Sequence, residues 1–173
     1  MLGGIKRRAE AVETKDPVGI APPHSAPAVV RNSIEINCPA EVAFDCLSDL
    51  RRELEWNEAL LEVESLTEGP LRAGSTYRAR FKRVGDSVVE YLHYERPRLW
   101  VTRSSSPRLG AGLVGEVRPT SQGCLVDLET QLVPHGLLAL ARPLLVRFMA
   151  ASWKRHLAAI KSKLERQAFM SMC

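Results

Sequence analysis

The chain has 173 residues, of which 45% are hydrophobic and 25% are charged, a balance typical of a single folded domain with its own core. The net charge of +4 is too small to indicate a nucleic-acid-binding protein, so nucleic acid is not an expected partner. The four cysteines form no CxxC pair and have no zinc-finger spacing with the four histidines, which favours reduced thiols, a cytoplasmic location and no metal site.

Residues 1–28 have the composition of a disordered tail. Proline recurs at positions 17, 22, 23 and 27, and the segment has no periodic apolar face. Charged residues follow the basic residues 6–8, where a secretory signal would have its apolar region, so no such signal is predicted. We expect the folded domain to span residues 29–167, with a second tail at residues 168–173.

The folded part begins with a strand and two short helices. Residues 30–37 alternate apolar and polar side chains, which predicts a strand. Pro39 suits the first turn of a following helix. Ser48 or Asp49 can cap a second short helix that runs towards Trp56.

A run of strands separated by turn residues follows. The predicted strands are residues 60–66, 75–83, 88–95, 99–105, 113–118 and 124–133. In the second of these, Tyr77, Ala79 and Phe81 share one face, and Gly85-Asp86 is a candidate for the next tight turn. Consecutive short strands of this kind predict an antiparallel sheet with one face in water.

The chain closes with a long amphipathic helix that Pro143 restarts or kinks. Its apolar positions recur at spacings of three and four residues. They are Leu145, Met149, Trp153, Leu157, Ile160 and Leu164. Such a stripe needs a sheet to pack on, so the order of elements predicts an α+β fold with one long helix across a curved antiparallel sheet. A straight helix cannot contact a curved sheet along its whole length, and the gap is a natural place for a cavity.

Five stretches together resemble the START-like superfamily, also known as Bet v 1-like, SRPBCC or polyketide cyclase/dehydrase and lipid transport proteins. They are Pro39-Ala40-Glu41 leading to Phe44, Asp49 followed by Trp56-Asn57, Gly74 leading to Tyr77, Tyr94-Glu95-Arg96-Pro97 leading to Trp100, and Gly123 before the helix that ends in Lys163-Leu164-Glu165. The resemblance covers about residues 30–167 and implies a helix-grip fold that binds a lipid, a polyketide or a similar small hydrophobic ligand. It brings no cofactor with it.

Several large side chains are candidates for the wall of such a cavity. They are Trp56, Tyr77, Phe81, Tyr91, Tyr94, Trp100, Met149 and Trp153. Aromatic rings here can stack on a flat ligand or simply fill a core, and the sequence leaves both interpretations open.

His93 is the one candidate for catalysis. Simple alternation puts it on the same strand face as Val89 and Tyr91, and a histidine beside a ligand carbonyl can transfer a proton at neutral pH. With a tyrosine it defines the second hypothesis, a polyketide cyclase or dehydrase. Asp49 is expected as a helix cap, with Glu53 and Glu55 as solvated charges.

The polar side of the last helix is basic and defines the third hypothesis, contact with a membrane surface or a nucleic acid. Its basic residues are Arg147, Lys154, Arg155, Lys161, Lys163 and Arg166. No convergent set of titratable residues emerges, so the sequence favours a carrier of hydrophobic ligand over an enzyme. It leaves the ligand and the oligomeric state open.

Overall fold

The computed structural model describes residues 27–171. Seven strands form one antiparallel sheet in the order β1-β7-β6-β5-β4-β3-β2. The strands are β1 Ala28–Ile36, β2 Leu60–Ser65, β3 Thr76–Phe81, β4 Gly85–Glu95, β5 Leu99–Ser105, β6 Leu109–Thr120 and β7 Gly123–Pro134. The helices are α1 Ala40–Ser48, α2 Leu50–Glu53, α3 Leu137–Leu140 and α4 Arg142–Ser171. The expected α+β architecture, with two short helices after the first strand and a long terminal helix, is confirmed.

The period-two pattern of the sequence sets the two faces of the sheet. In β3, Tyr77 and Ala79 are buried, whereas Arg78 and Arg80 between them are exposed. The same alternation runs along β7, where the even-numbered residues 124–132 are buried. The apolar face is concave and is covered by the helices, while the charged face is in water.

The two short helices begin where the sequence predicts. Pro39 is the N-cap residue of α1, and the helix buries Ala43, Phe44 and Leu47. Asp49 caps α2, because its Oδ1 accepts a hydrogen bond of 3.0 Å from the backbone N–H of Arg51. These helices therefore cover the end of the sheet at which α4 finishes.

The long helix lies across the concave face and approaches β1 most closely. Its second half is well packed, with Leu157, Ile160 and Leu164 almost fully buried. The helix continues to Ser171, past the domain boundary predicted at residue 167, since Ala168 still packs against the core. Residues 1–26 of the predicted tail lie outside the described residues. β1 begins at Ala28, which is the last residue of the predicted tail.

The core consists of two apolar clusters. The main cluster surrounds Phe44, Trp100 and Leu157 beneath α1 and the second half of α4. The end cluster surrounds Val30 and Leu132 beneath α3 and the first half of α4. The two clusters do not meet in a continuous buried layer, which leaves the middle of the concave face between them.

Two glycines occupy positions where a side chain would not fit the local geometry. Gly85 begins β4 with a φ of +85°, a conformation that L side chains rarely adopt. The β3–β4 turn therefore occupies residues 82–84, not Gly85-Asp86 as predicted. Gly115 lies under the indole of Trp100, where an added Cβ would stand 2.1 Å from Cζ2 of the ring. Trp100 can lie flat against β6 only because position 115 has no side chain.

Candidate ligand-binding hollow

Several apolar side chains between the two clusters are only partly buried. Ala111 and Leu113 lie on the concave face of β6, which is flanked by β5 and β7 on both sides. Met149 and Trp153 approach from α4 and are also half-buried. Protein interiors are normally close-packed, so partial exposure at these positions indicates that the sheet and the helix pack incompletely here. We call this incompletely packed region the hollow.

Unpaired polar atoms occur in the same region. Trp56 and Trp153 pack together with ring centroids 6.0 Å apart, and the Nε1 atom of each is buried with no hydrogen-bond partner among the described residues. Asn32 on β1 and Thr130 on β7 likewise bury a side-chain nitrogen or hydroxyl that none of those residues pairs. An unsatisfied buried donor costs about 1–3 kcal/mol, so several together favour an additional hydrogen-bonding species here.

Glu53 is half-buried at the end of α2. It shares a helix face with the buried Leu50, three residues earlier, and Oε1 accepts a hydrogen bond from Nδ2 of Asn57. Burial raises the pKa of this carboxyl to about 7, against the lowering effect of Asn57. The expectation that Glu53 is a solvated charge is therefore wrong. The helical spacing of Leu50, Glu53 and Asn57 is the sequence signal that could have revealed it.

His156 is a second half-buried titratable residue, and the sequence patterns do not single it out. Its ring centroid is 5.5 Å from that of Trp56 and 6.3 Å from that of Trp153. Burial and the nearby charge of Arg155 lower its pKa, so the imidazole is neutral at pH 7. Position 156 follows Trp153 by three residues on α4, which places it next to the apolar stripe.

The predicted wall residues fall into two groups. Tyr77, Tyr91 and Trp100 are almost fully buried in the main cluster. Trp56, Phe81, Tyr94, Met149 and Trp153 keep some exposed area.

The hydroxyl group of Tyr91 has a structural role. The hydroxyl donates to the backbone carbonyl of Ser48 at 2.6 Å and accepts from the backbone N–H of Leu50 at 3.0 Å. It thereby joins β4 to the junction between α1 and α2, and burial raises its pKa. The hydroxyl has no proton left to donate to a ligand.

His93 faces solvent, and the prediction that it shares a face with Val89 and Tyr91 is wrong. A β-bulge between Tyr91 and His93 shifts the register against β5, so the alternation changes phase and Tyr94 turns inward instead. The His93 side chain is 50% exposed, with Nε2 3.7 Å from a carboxylate oxygen of Glu95. The catalytic role predicted for His93 thus has no support from an interior position.

Charged side chains outside the hollow have partners within the fold. On the basic side of α4, Lys161 Nζ donates to the backbone carbonyl of Glu35 at 2.7 Å, and Lys163 Nζ is 2.5 Å from Oε2 of Glu55. These contacts attach the helix to β1 and to the segment after α2. On the solvent face, a shallow groove is lined by Glu62, Glu64, Arg78, Arg80 and Asp86. Cross-strand ion pairs fill it, so it offers little free hydrogen-bonding capacity.

The thiols and carboxylates do not assemble a metal site in the part of the chain described. Cys38, Cys46 and Cys124 are buried and free, as expected for small core side chains, and Cys173 lies outside the described residues. No group of three or more His, Cys, Asp or Glu residues within positions 27–171 is placed to hold a metal ion. Within the same range, no helix combines the length and the apolar character needed to cross a bilayer.

A curved antiparallel sheet that grips a long terminal helix over a hollow defines the START-like, helix-grip class. The chain belongs to the polyketide cyclase / dehydrase and lipid transport family, whose profile matches residues 27–165. A comparison with curated proteins finds no match.

Solved structures share this fold at low sequence identity. A START superfamily protein from Mycobacterium smegmatis has a TM-score of 0.64 at 13% identity, covering 80% of this chain and 98% of that one. A conserved protein from Geobacillus kaustophilus has a TM-score of 0.66 at 14% identity, covering 80% and 96%. The di-domain aromatase/cyclase StfQ of the steffimycin biosynthetic pathway has a TM-score of 0.67 at 14% identity, covering 82% of this chain and 52% of its own.

Proposed function

We propose that this protein binds one small, mainly apolar molecule in the hollow between the sheet and α4. The observation that carries the proposal is the partial exposure of Leu113, Met149 and Trp153 on facing elements between two separate apolar clusters. Burying an apolar ligand contributes about 25 cal/mol for each Å² removed from water, before ordering costs. Binding therefore needs no catalytic group.

The polar atoms of the wall favour a ligand that carries a hydrogen-bond acceptor. The indole N–H groups of Trp56 and Trp153 can only donate, and both lack a partner within residues 27–171. A carbonyl, ether or hydroxyl oxygen on the ligand would satisfy such a donor and remove the cost of leaving it unpaired. A pure hydrocarbon would not.

The charge state of the wall favours a neutral ligand. His156 is uncharged at pH 7, and Glu53 changes from neutral to anionic as the pH rises through about 7. An anionic ligand would thus meet increasing repulsion above that pH. For a neutral apolar ligand, we expect affinity to fall moderately on the alkaline side, as the carboxylate attracts water into the hollow.

Two linked experiments test the proposal. Native mass spectrometry of the purified full-length protein should show a co-purified small molecule, or a one-to-one complex when anthraquinone is added. Anthracene has the same three rings without the carbonyl oxygens and should bind at least about tenfold more weakly. Failure of both probes and of any co-purified molecule to bind would contradict the proposal.

Variants locate the binding site within the protein. Trp153→Phe keeps an aromatic ring but removes an N–H donor, so it should lower anthraquinone affinity and leave the weaker anthracene affinity unchanged. The exposed His93, replaced by Ala, is the matched control and should bind both probes as the wild type does.

An enzyme is the second candidate, and the pKa of Glu53 is the observation in its favour. A half-buried carboxyl whose pKa is raised to about 7 is suited to general acid–base chemistry such as dehydration or ring closure. In that case Glu53→Gln would abolish turnover of a polyketide-like substrate while binding persisted. Equal turnover in Glu53→Gln and wild type would exclude Glu53 as the catalytic group, and loss of turnover in His93→Ala would identify His93 as the catalytic residue instead.

A further inference from the structure

An exposed apolar ridge runs along α3 and the first turns of α4. Leu137, Leu140, Leu144 and Phe148 form it, with 86%, 83%, 69% and 40% of their surfaces exposed. Their spacing of three, four and four residues puts them on one side of a nearly continuous helix, since the backbone N–H of Leu145 still bonds the carbonyl of Ala141 at 3.0 Å.

The opposite side of the same helices is already packed. Leu138, Leu145 and Met149 contact the end cluster, so this stretch is apolar both towards the core and towards solvent. A surface helix normally has a polar outer side, and one that is apolar all round needs a second apolar environment. Leu137, Leu140 and Leu144 stay largely exposed, so no described residue of this chain covers that part of the ridge.

The surroundings of the ridge are strongly basic. Arg83, Arg108, Arg142 and Arg147 are exposed near it, and residues 130–164 contain no Asp or Glu. Apolar side chains bordered by arginines are the combination that binds a membrane interface carrying anionic lipids. Two copies of the chain meeting ridge to ridge would bring the same arginines together, which disfavours a homodimer.

The ridge lies beside two turns of the sheet. The guanidinium of Arg83, in the β3–β4 turn, lies 4.8 Å from the ring centroid of Phe148. Arg108, in the β5–β6 turn, donates to the carbonyl of Arg83 at 3.4 Å, and its own carbonyl accepts from the N–H of His135 at 2.9 Å. Three connections thus meet beside the ridge, at the end of the sheet where Phe81 and Met149 are half-buried.

We propose that this ridge docks the protein on an anionic lipid bilayer, with Leu140 and Leu144 inserted among the lipid chains and the arginines at the headgroups. Docking there brings the β3–β4 and β5–β6 turns, and the half-buried Phe81 and Met149 beside them, close to the membrane. A hydrophobic ligand could then pass between bilayer and protein with little exposure to water. The surface differs from the basic side of α4 at Lys161 and Lys163, which is occupied by contacts within the fold.

Vesicle co-sedimentation of the full-length protein tests this docking. Binding should be strong to phosphatidylcholine vesicles in which phosphatidylserine makes up about a third of the lipid, weak to phosphatidylcholine alone, and reduced by salt. The double variant Leu140→Ser/Leu144→Ser should reduce binding at least about tenfold, because insertion depends on apolar area. Arg147→Gln should reduce it about fivefold.

Matched controls separate docking from other effects. Leu54→Ser/Leu66→Ser removes two exposed leucines, one after α2 and one after the end of β2 that is remote from the β3–β4 turn, and should leave vesicle binding unchanged. Anthraquinone binding should also persist in Leu140→Ser/Leu144→Ser, so failure of docking and failure of ligand binding can be told apart. The proposal is overturned if the wild type ignores anionic vesicles, if both leucine pairs have equal effects, or if the ridge variant instead dissociates a homodimer. It is also overturned if the wild type binds only after residues 1–26 are deleted, since that segment would then occupy the ridge.

Discussion

Replacing Glu53 by Gln tests the interior electrostatics of the protein. The carboxyl ordinarily titrates near 4.5, and burial raises its pKa to about 7 in the folded state. Glutamine keeps the size of the side chain and an oxygen that can accept the hydrogen bond from Asn57. The substitution therefore removes the titration with little change in packing.

The sign and size of the effect follow from linkage. Between pH 4.5 and about 7 the folded protein holds a proton that the unfolded chain has released, so wild-type stability falls as the pH rises through this window. Each pKa unit corresponds to 1.36 kcal/mol, so the loss reaches at most about 3 kcal/mol. Glu53→Gln has no such loss. The difference in unfolding free energy between variant and wild type should grow by about that amount between about pH 4 and about pH 8.

Urea unfolding followed by circular dichroism measures this difference at both pH values. Glu55→Gln is the control from the adjacent segment, because Lys163 lowers the pKa of the exposed Glu55 and the surface pair contributes little. A difference for Glu53→Gln that stays constant with pH would refute the assignment of a buried, protonated carboxyl.

Three further substitutions should act on stability in ways that urea unfolding can measure. Tyr91→Phe leaves the carbonyl of Ser48 and the N–H of Leu50 unpaired and should cost about 2–4 kcal/mol, and a loss below about 0.5 kcal/mol would contradict the contacts described. Gly115→Ala should cost at least about 1–3 kcal/mol, since the Cβ displaces the Trp100 ring, and neutrality would place the indole elsewhere. His93→Ala should stay within about 0.5 kcal/mol of wild type, whereas a large loss would mean that His93 is not on the solvent face.

Much of the fold was accessible from the sequence because local signals agree with one another. Pro39 and Asp49 start α1 and α2 where capping rules place them, and alternation assigns the faces of β3 and β7 correctly. The bulge after Tyr91 could not be predicted from the sequence. It inserts one residue into a regular alternation, and no glycine or proline in that stretch marks it.

The candidate site could be predicted from the sequence only in part. Aromatic residues could be recognised as interior, but sequence periodicity cannot distinguish a filled core from a wall with space in front of it. Residue type predicts a surface charge at Glu53, although its helical spacing from Leu50 favours burial, and the only sequence signal for His156 is its spacing of three residues from Trp153. The surroundings of His156 depend on how α4 meets Trp56 in the segment after α2, a long-range contact that local patterns do not specify.

Leu113→Phe gives the most direct test of whether the hollow exists as open space. The larger ring should fit into it, so the variant should unfold at a urea concentration close to that of wild type while anthraquinone affinity falls at least about tenfold. A variant that is strongly destabilised yet binds anthraquinone as before would show that the interior is already filled by its own side chains, contrary to this account.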